Sequence, residues 1–240
     1  MADDASRFDP RTEDPPRLVA AVPRDEVDLL DTWHTSGMRG TFSADVSVDD
    51  VFVPDHRVAF IDLGGERAPA FSGPLYALWP WTAIHGETAV SIGIAGAAID
   101  GLIDLATRKK PSYSRIPLHD REMAQHHAGK ARGLVDASRA FLHAAISQAF
   151  VDAEVGRRYS EATKLRCQLA ACFGAEACAA AVDLVHEAAG TSAIRLEHGF
   201  ERQHRDVHAL TQHADKSYSR YEDVGKMLFG LPPSFWILEL

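Results

Sequence analysis

The chain has 240 residues, 46% apolar and 25% charged, the proportions of an ordinary globular protein with one large or two small domains. Its net charge of −9 argues against nucleic acid or an anionic membrane as the main partner, though it leaves room for a local basic pocket. No run approaches the roughly 20 consecutive apolar residues of a membrane helix, and the opening MADDASRFDPRTEDPP lacks the apolar core of a signal peptide.

Residues 1–15 read as a disordered leader. RLVAAVP, from Arg17 to Pro23, is a short apolar run stopped by proline and reads as a strand; VDLLD follows as a second. In TFSADVSVDD the alternation has period two, with Phe42, Ala44, Val46 and Val48 on one side, which predicts a half-buried strand. VFVP, ending at Pro54, reads as a fourth. These antiparallel strands form a partial β domain over residues 16–63. Glycine and proline crowd residues 64–74, the linker.

From there to residue 240 the pattern is helical. Ile92, Ile99 and Ile103, with Ala95, Ala98 and Leu102, predict a helix from about Tyr76 to Lys110, with Pro80 near its start. A second runs from about His119 to Val155. A third runs from about Tyr159 to Ala189 and stops at Gly190. A shorter fourth covers about Phe200 to Leu228. A 35-residue helix is roughly 50 Å long, and such rods bury their apolar faces best as an antiparallel bundle. The fold class is therefore α+β, mainly α: a few antiparallel strands, then an antiparallel four-helix bundle. Cys167, Cys172 and Cys178 read as reduced, buried thiols of a cytoplasmic protein, with spacings that suit no metal site.

Several side chains carry chemistry. His213 can exchange protons near neutral pH, and on a continuous helix Asp206 lies two turns earlier on the same face, placed to orient it. His204 and His208 stand at i and i+4, a spacing able to present two metal ligands. No third ligand is evident, so a solvated polar face and no metal is the reading taken. Arg202 and Asp206 have the spacing of a surface ion pair. Arg108, Lys109 and Lys110 complement the dipole at a helix C-terminus. Gly190, Thr191 and Ser192 read as a helix C-cap followed by an N-cap. Trp33, Trp79 and Trp81 are large apolar surfaces without an assigned role.

Two stretches together resemble the acyl-CoA dehydrogenase superfamily. Trp33, then Gly37-Met38-Arg39-Gly40-Thr41, Asp45-Val46 and Val51-Phe52-Val53-Pro54, is similar to the late part of that family's central β domain. AAGTSAI, Ala188 to Ile194, followed by ERQHRDVHALTQH, Glu201 to His213, is similar to its last bundle helices, where an arginine-aspartate pair opens the active-site segment. The resemblance runs from about Arg17 to the end of the chain. It is closest to the flavin-dependent monooxygenase branch. The dehydrogenases carry a glutamate base after the Arg-Asp pair; here no carboxylate stands there, and His213 does.

The resemblance implies an oxidoreductase that uses reduced FAD or FMN, supplied by a separate flavin reductase, and oxygenates a small organic substrate through a flavin C4a-hydroperoxide. It implies catalytic roles for His213, Asp206 and Arg205. It also implies that Arg108, Ser112 and Arg115 reach the flavin phosphates of a neighbouring subunit, with Gly190 and Thr191 approaching the dinucleotide. A homo-dimer or homo-tetramer follows. The family's N-terminal helical domain and first β strands have no counterpart here, so the resemblance covers the C-terminal part only: either the sequence is a fragment, or a separate polypeptide supplies the other half, or the scaffold has lost the flavin. Two alternatives stand beside this: a non-catalytic, partner-dependent bundle subunit without its own flavin site, and an acyl-CoA dehydrogenase with Glu187, Glu197 or Glu222 as base.

Overall fold

A computed structural model describes residues 18–60, 68–79, 81–156 and 159–239. The leader read at residues 1–15 and the first part of the linker lie outside them. The described residues form two compact units, one of residues 18–34 and 41–60, the other of residues 35–40 and 68–239.

In the smaller unit β1 (Leu18–Ala20) pairs antiparallel with β4 (Val58–Phe60), Leu18 opposite Phe60. Strand β2 (Asp28–Leu29) pairs antiparallel with β3 (Val46–Ser47). The half-buried strand expected over Phe42–Val48 shrinks to those two residues, and Phe42, Val46 and Val48 are exposed. Phe42 has φ 45°, so the backbone leaves the extended region where the strand was expected to begin. VFVP is not a strand. Pro54, which has no N–H to give to a ladder, instead leads into a 3-10 turn at Asp55–Arg57, and β4 begins after it.

The larger unit is helical. A short α1 (Pro74–Ala77) precedes α2 (Trp81–Arg108), so the first predicted helix starts later than its apolar pattern. Helix α3 (Glu122–Glu154) follows. Helix α4 (Glu161–Ala189) opens on Ser160, whose Oγ accepts from the Thr163 N–H at 3.1 Å. It closes on Gly190 at φ 55°, a conformation that favours glycine. The predicted fourth helix is broken into α5 (Phe200–Leu210) and α6 (Ser219–Leu228), joined by turns over 211–218; α7 (Trp236–Glu239) ends the fold.

The order is up-down-up-down. His85 near the start of α2 meets the Cys167 carbonyl near the start of α4, and Lys109 just past α2 meets Ala189 at the end of α4. Helix α3 runs back between them, and α5 returns along α4. Ile99, Leu102, Val135, Val182, Val185 and Val207 fill the centre. Each such side chain contributes about 1.5–3 kcal/mol on burial. Small residues bring the helices close: a Cβ on Gly174 would stand 2.5 Å from Thr88 Cγ2. By length and mean hydropathy Trp81–Arg108 and Glu161–Ser192 do reach what a membrane-spanning helix needs, contrary to the expectation from unbroken apolar runs. In the bundle 44% and 61% of their most apolar stretches are buried. Cys167, Cys172 and Cys178 are free and buried, and burial pushes their thiols up to about 12, 11 and 11.

Candidate functional site

The turn between α5 and α6 gathers the charged side chains. Lys216 is fully buried there. Its ammonium is ion-paired with Glu87 of α2 and lies 2.9 Å from Asp215 Oδ1. A lone buried cation costs several kcal/mol, so these two carboxylates are the reason it stays inside. The Asp215 carbonyl accepts from Gln168 Nε2 of α4 at 2.7 Å. This inward pull on residues 215 and 216 breaks the fourth helix without any proline or glycine in 211–218.

His213 sits on this cluster, its side chain half exposed. Its Nδ1 is 2.7 Å from Asp215 Oδ1 and 3.4 Å from Glu87 Oε2. Asp215 therefore orients the ring, which leaves Nε2 for other partners. The expectation that Asp206 orients His213 does not hold. Because α5 stops at Leu210, the two residues do not share one helix. Glu87, His213 and Asp215 place ligand atoms within 4.8 Å of one another, but the Lys216 ammonium already supplies the positive charge between them.

Arg205 and Asp206 do other work. Asp206 Oδ1 accepts from the Met38 N–H at 2.6 Å, and Arg205 Nη1 donates to the Ser36 carbonyl at 2.5 Å. Arg205 Nε also pairs with Glu201 at 2.8 Å, rather than Arg202 with Asp206. The contact with Glu201 lowers the glutamate's pKa and raises that of Arg205. The pair thus clamps the glycine turn Thr35–Gly40 onto α5. Gly37 fits because a Cβ there would lie 2.1 Å from the Arg205 carbonyl oxygen.

The expected phosphate-binding residues gather at the opposite end of the bundle. Lys109 Nζ donates to the Ala189 carbonyl at 2.6 Å and to Ser192 Oγ at 2.8 Å, tying the residues after α2 to the turn that ends α4. Arg108, Ser112 and Arg115 are exposed on one side of this tie, and Gly190 and Thr191 on the other. Arg108 is paired with Asp104 at 2.5 Å. Lys109, which anchors this end, was not expected to do so. From Glu87 to Lys109 is about 33 Å along α2, so His213 and this end are far apart within one chain.

A cavity of about 510 Å³ opens against α2 and α3, lined by Leu78, Trp81, His85, Ile92, Leu142 and His143 among others. Trp81, unassigned from sequence, is part of the core and stacks on His85 with ring centroids 5.8 Å apart. Burial lowers the His85 pKa. His85 and Glu87, two residues apart, point to different faces of α2, and His213 is not among the residues lining this cavity.

His204 and His208 do find a third group. Asp183 of α4 places Oδ1 3.2 Å from His204 Nε2 and 2.8 Å from His208 Nε2. Nothing in the sequence separation of 21 and 25 residues signals it. The alternative carboxylate bases are engaged at the surface: Glu187 with His127, Glu197 with Arg195, Glu222 with Lys226.

Comparison with known proteins identifies the fold and the family. The family model for the acyl-CoA dehydrogenase C-terminal domain fits residues 85–218, more than half of the chain. The chain is 29% identical over 227 residues to the pigment production hydroxylase of a Rhodococcus species, covering 92% of this chain and 58% of that protein. It is 29% identical over 220 residues to HsaA, the oxygenase subunit of a flavin-dependent monooxygenase of Mycobacterium tuberculosis, covering 88% of this chain and 56% of that one. Among solved structures, XiaF from a Streptomyces species, in complex with FADH2 and glycerol, superposes with a TM-score of 0.80 at 25% identity, over 91% of this chain and 57% of XiaF. The chain thus spans a little over half the length of these relatives. It belongs to the acyl-CoA dehydrogenase family, by the C-terminal domain of that fold.

Proposed function

We propose that this chain is the helical part of a flavin-dependent monooxygenase that takes reduced FAD or FMN from a separate reductase and oxygenates a small organic substrate. One observation carries the reading. After the Arg205-Asp206 pair, where by resemblance the family's dehydrogenases carry a glutamate base, the imidazole of His213 stands, held by Asp215 at 2.7 Å. The named relatives support the reaction class.

Bound reduced flavin supplies the electrons and the activation of oxygen. The residue types suit such a group: Arg115, Ser112 and Thr191 are exposed donors of the kind phosphate takes, and Arg108 joins them once it exchanges Asp104 for the phosphate. With Nδ1–H donated to Asp215, His213 presents Nε2 to exchange a proton with the substrate or with oxygen reacting at the flavin. Lys216 pairs with both Asp215 and Glu87 beneath the ring and offsets one of their two negative charges. The same ion pair keeps Glu87 from serving as the free carboxylate that thioester dehydrogenation needs. Because the cationic end and His213 lie about 33 Å apart along α2, one flavin engages both groups only between two copies, as a homo-dimer or homo-tetramer provides.

The test is an anaerobic titration of the chain with chemically reduced FAD and FMN, followed by flavin fluorescence. Saturable binding of one flavin per chain is expected. Arg108→Ala with Arg115→Ala should weaken it about tenfold, equivalent to about 1.4 kcal/mol. Absence of saturable binding of both reduced flavins sinks the reading.

A further inference from the structure

We propose that Asp183, His204 and His208, with His186 beside them, form a binding site for a divalent transition-metal ion of the zinc class. Helix α4 presents Asp183 and His186 one turn apart, and α5 presents His204 and His208 one turn apart on the side facing α4. The ligand atoms of Asp183, His204 and His208 all lie within 4.8 Å of one another. The His204 ring centroid is 4.5 Å from that of His208 and 4.7 Å from that of His186.

The distances suit a tetrahedral ion. With metal–ligand bonds of about 2.0–2.2 Å, neighbouring ligand atoms are about 3.4 Å apart. Asp183 Oδ1 stands 3.2 Å from His204 Nε2 and 2.8 Å from His208 Nε2, about 0.2 and 0.6 Å short of that spacing, and all three ligand atoms lie within 4.8 Å of one another, so modest side-chain shifts would admit the ion. The donor set is mainly imidazole with one carboxylate. That favours Zn²⁺, Co²⁺, Ni²⁺ or Cu²⁺ over Ca²⁺ and Mg²⁺, which demand oxygen ligands.

Two features distinguish the cluster from an ordinary polar face. One carboxylate oxygen serves both imidazoles, while a third ring crowds the first. Beneath them Val182, Val185, Val207 and Leu210 are buried, so the backbones that carry the ligands are fixed by the core. The side chains keep 38–49% of their exposure, which leaves an open path for the ion. Binding would clip α5, the helix that leads into the His213 turn, onto α4.

The test uses the chain stripped of metal by a chelator and titrated with ZnCl₂ in a calorimeter near pH 7.5. One saturable Zn²⁺ site per chain is expected, with none for Mg²⁺, and Co²⁺ should give the visible bands of tetrahedral coordination. His204→Gln with His208→Gln should lose the site, while His56→Gln, on the smaller unit, keeps it. Helix content is checked by circular dichroism. Should the double variant lose its helices, Asp183→Asn, which keeps an acceptor toward both rings, takes its place and should lose Zn²⁺ with its fold intact. No saturable Zn²⁺ binding by the parent chain, or undiminished binding in a folded variant, overturns the proposal.

Discussion

Lys216 is the residue on which the site most depends, because its charge is buried against two carboxylates from different elements. Lys216→Met removes the cation and leaves the buried Asp215 carboxylate with His213 as its remaining side-chain partner. It should destabilise the bundle by about 3–5 kcal/mol, read from urea unfolding. Lys216→Met combined with Asp215→Asn and Glu87→Gln should recover part of that loss, because no uncompensated buried charge then remains. The sequence offers no such warning. A lysine after an aspartate in a polar stretch is normally solvated, and its partner Glu87 is 129 residues away. His213 itself was singled out from the sequence, and the structure sets it on the buried ion-pair cluster. Its true orienting partner, Asp215, was not, because the helix was expected to continue through it.

At the scale of elements, the long helices were readable because apolar spacing, Ser160 and Gly190 act locally. The strands were less so: alternation over Phe42–Val48 specifies a strand only where another strand lies beside it, and pairing is limited to Val46–Ser47. The glycine turn illustrates the non-local case. Gly37 reads as a strand-turn residue, but its need for glycine comes from the Arg205 carbonyl on α5. Gly37→Ala should undock Thr35–Gly40, cost about 1–3 kcal/mol, and open that segment to limited proteolysis. Helix α4 adds a pH prediction. Its three thiols release protons near pH 9 when unfolded but hold them to about 11 or 12 when folded. The unfolded chain therefore binds fewer protons in this window, and stability falls as pH rises above about 9. Each thiol contributes up to about 1.4 kcal/mol per pH unit. Cys167→Ala should flatten that fall in thermal melts taken between pH 8 and 11.

For the whole molecule, the bundle separates two kinds of chemistry by the length of α2: cations and hydroxyls around the Lys109 tie, an imidazole on a buried ion-pair network at the other end. The bundle and its kinship were legible in the Arg-Asp segment and the glycine turn, although that pair turns out to fasten the turn rather than orient the imidazole. The proposed function places His213 of one copy near flavin held partly by another. The most direct test is a stopped-flow measurement in which the chain, loaded anaerobically with reduced FAD or FMN, is mixed with oxygenated buffer. His213→Asn should leave the flavin dissociation constant unchanged and change the rate of flavin reoxidation about 100-fold or more, as loss of a proton-transfer group does. Identical reoxidation by the parent chain, the variant and free flavin would contradict the assignment of His213.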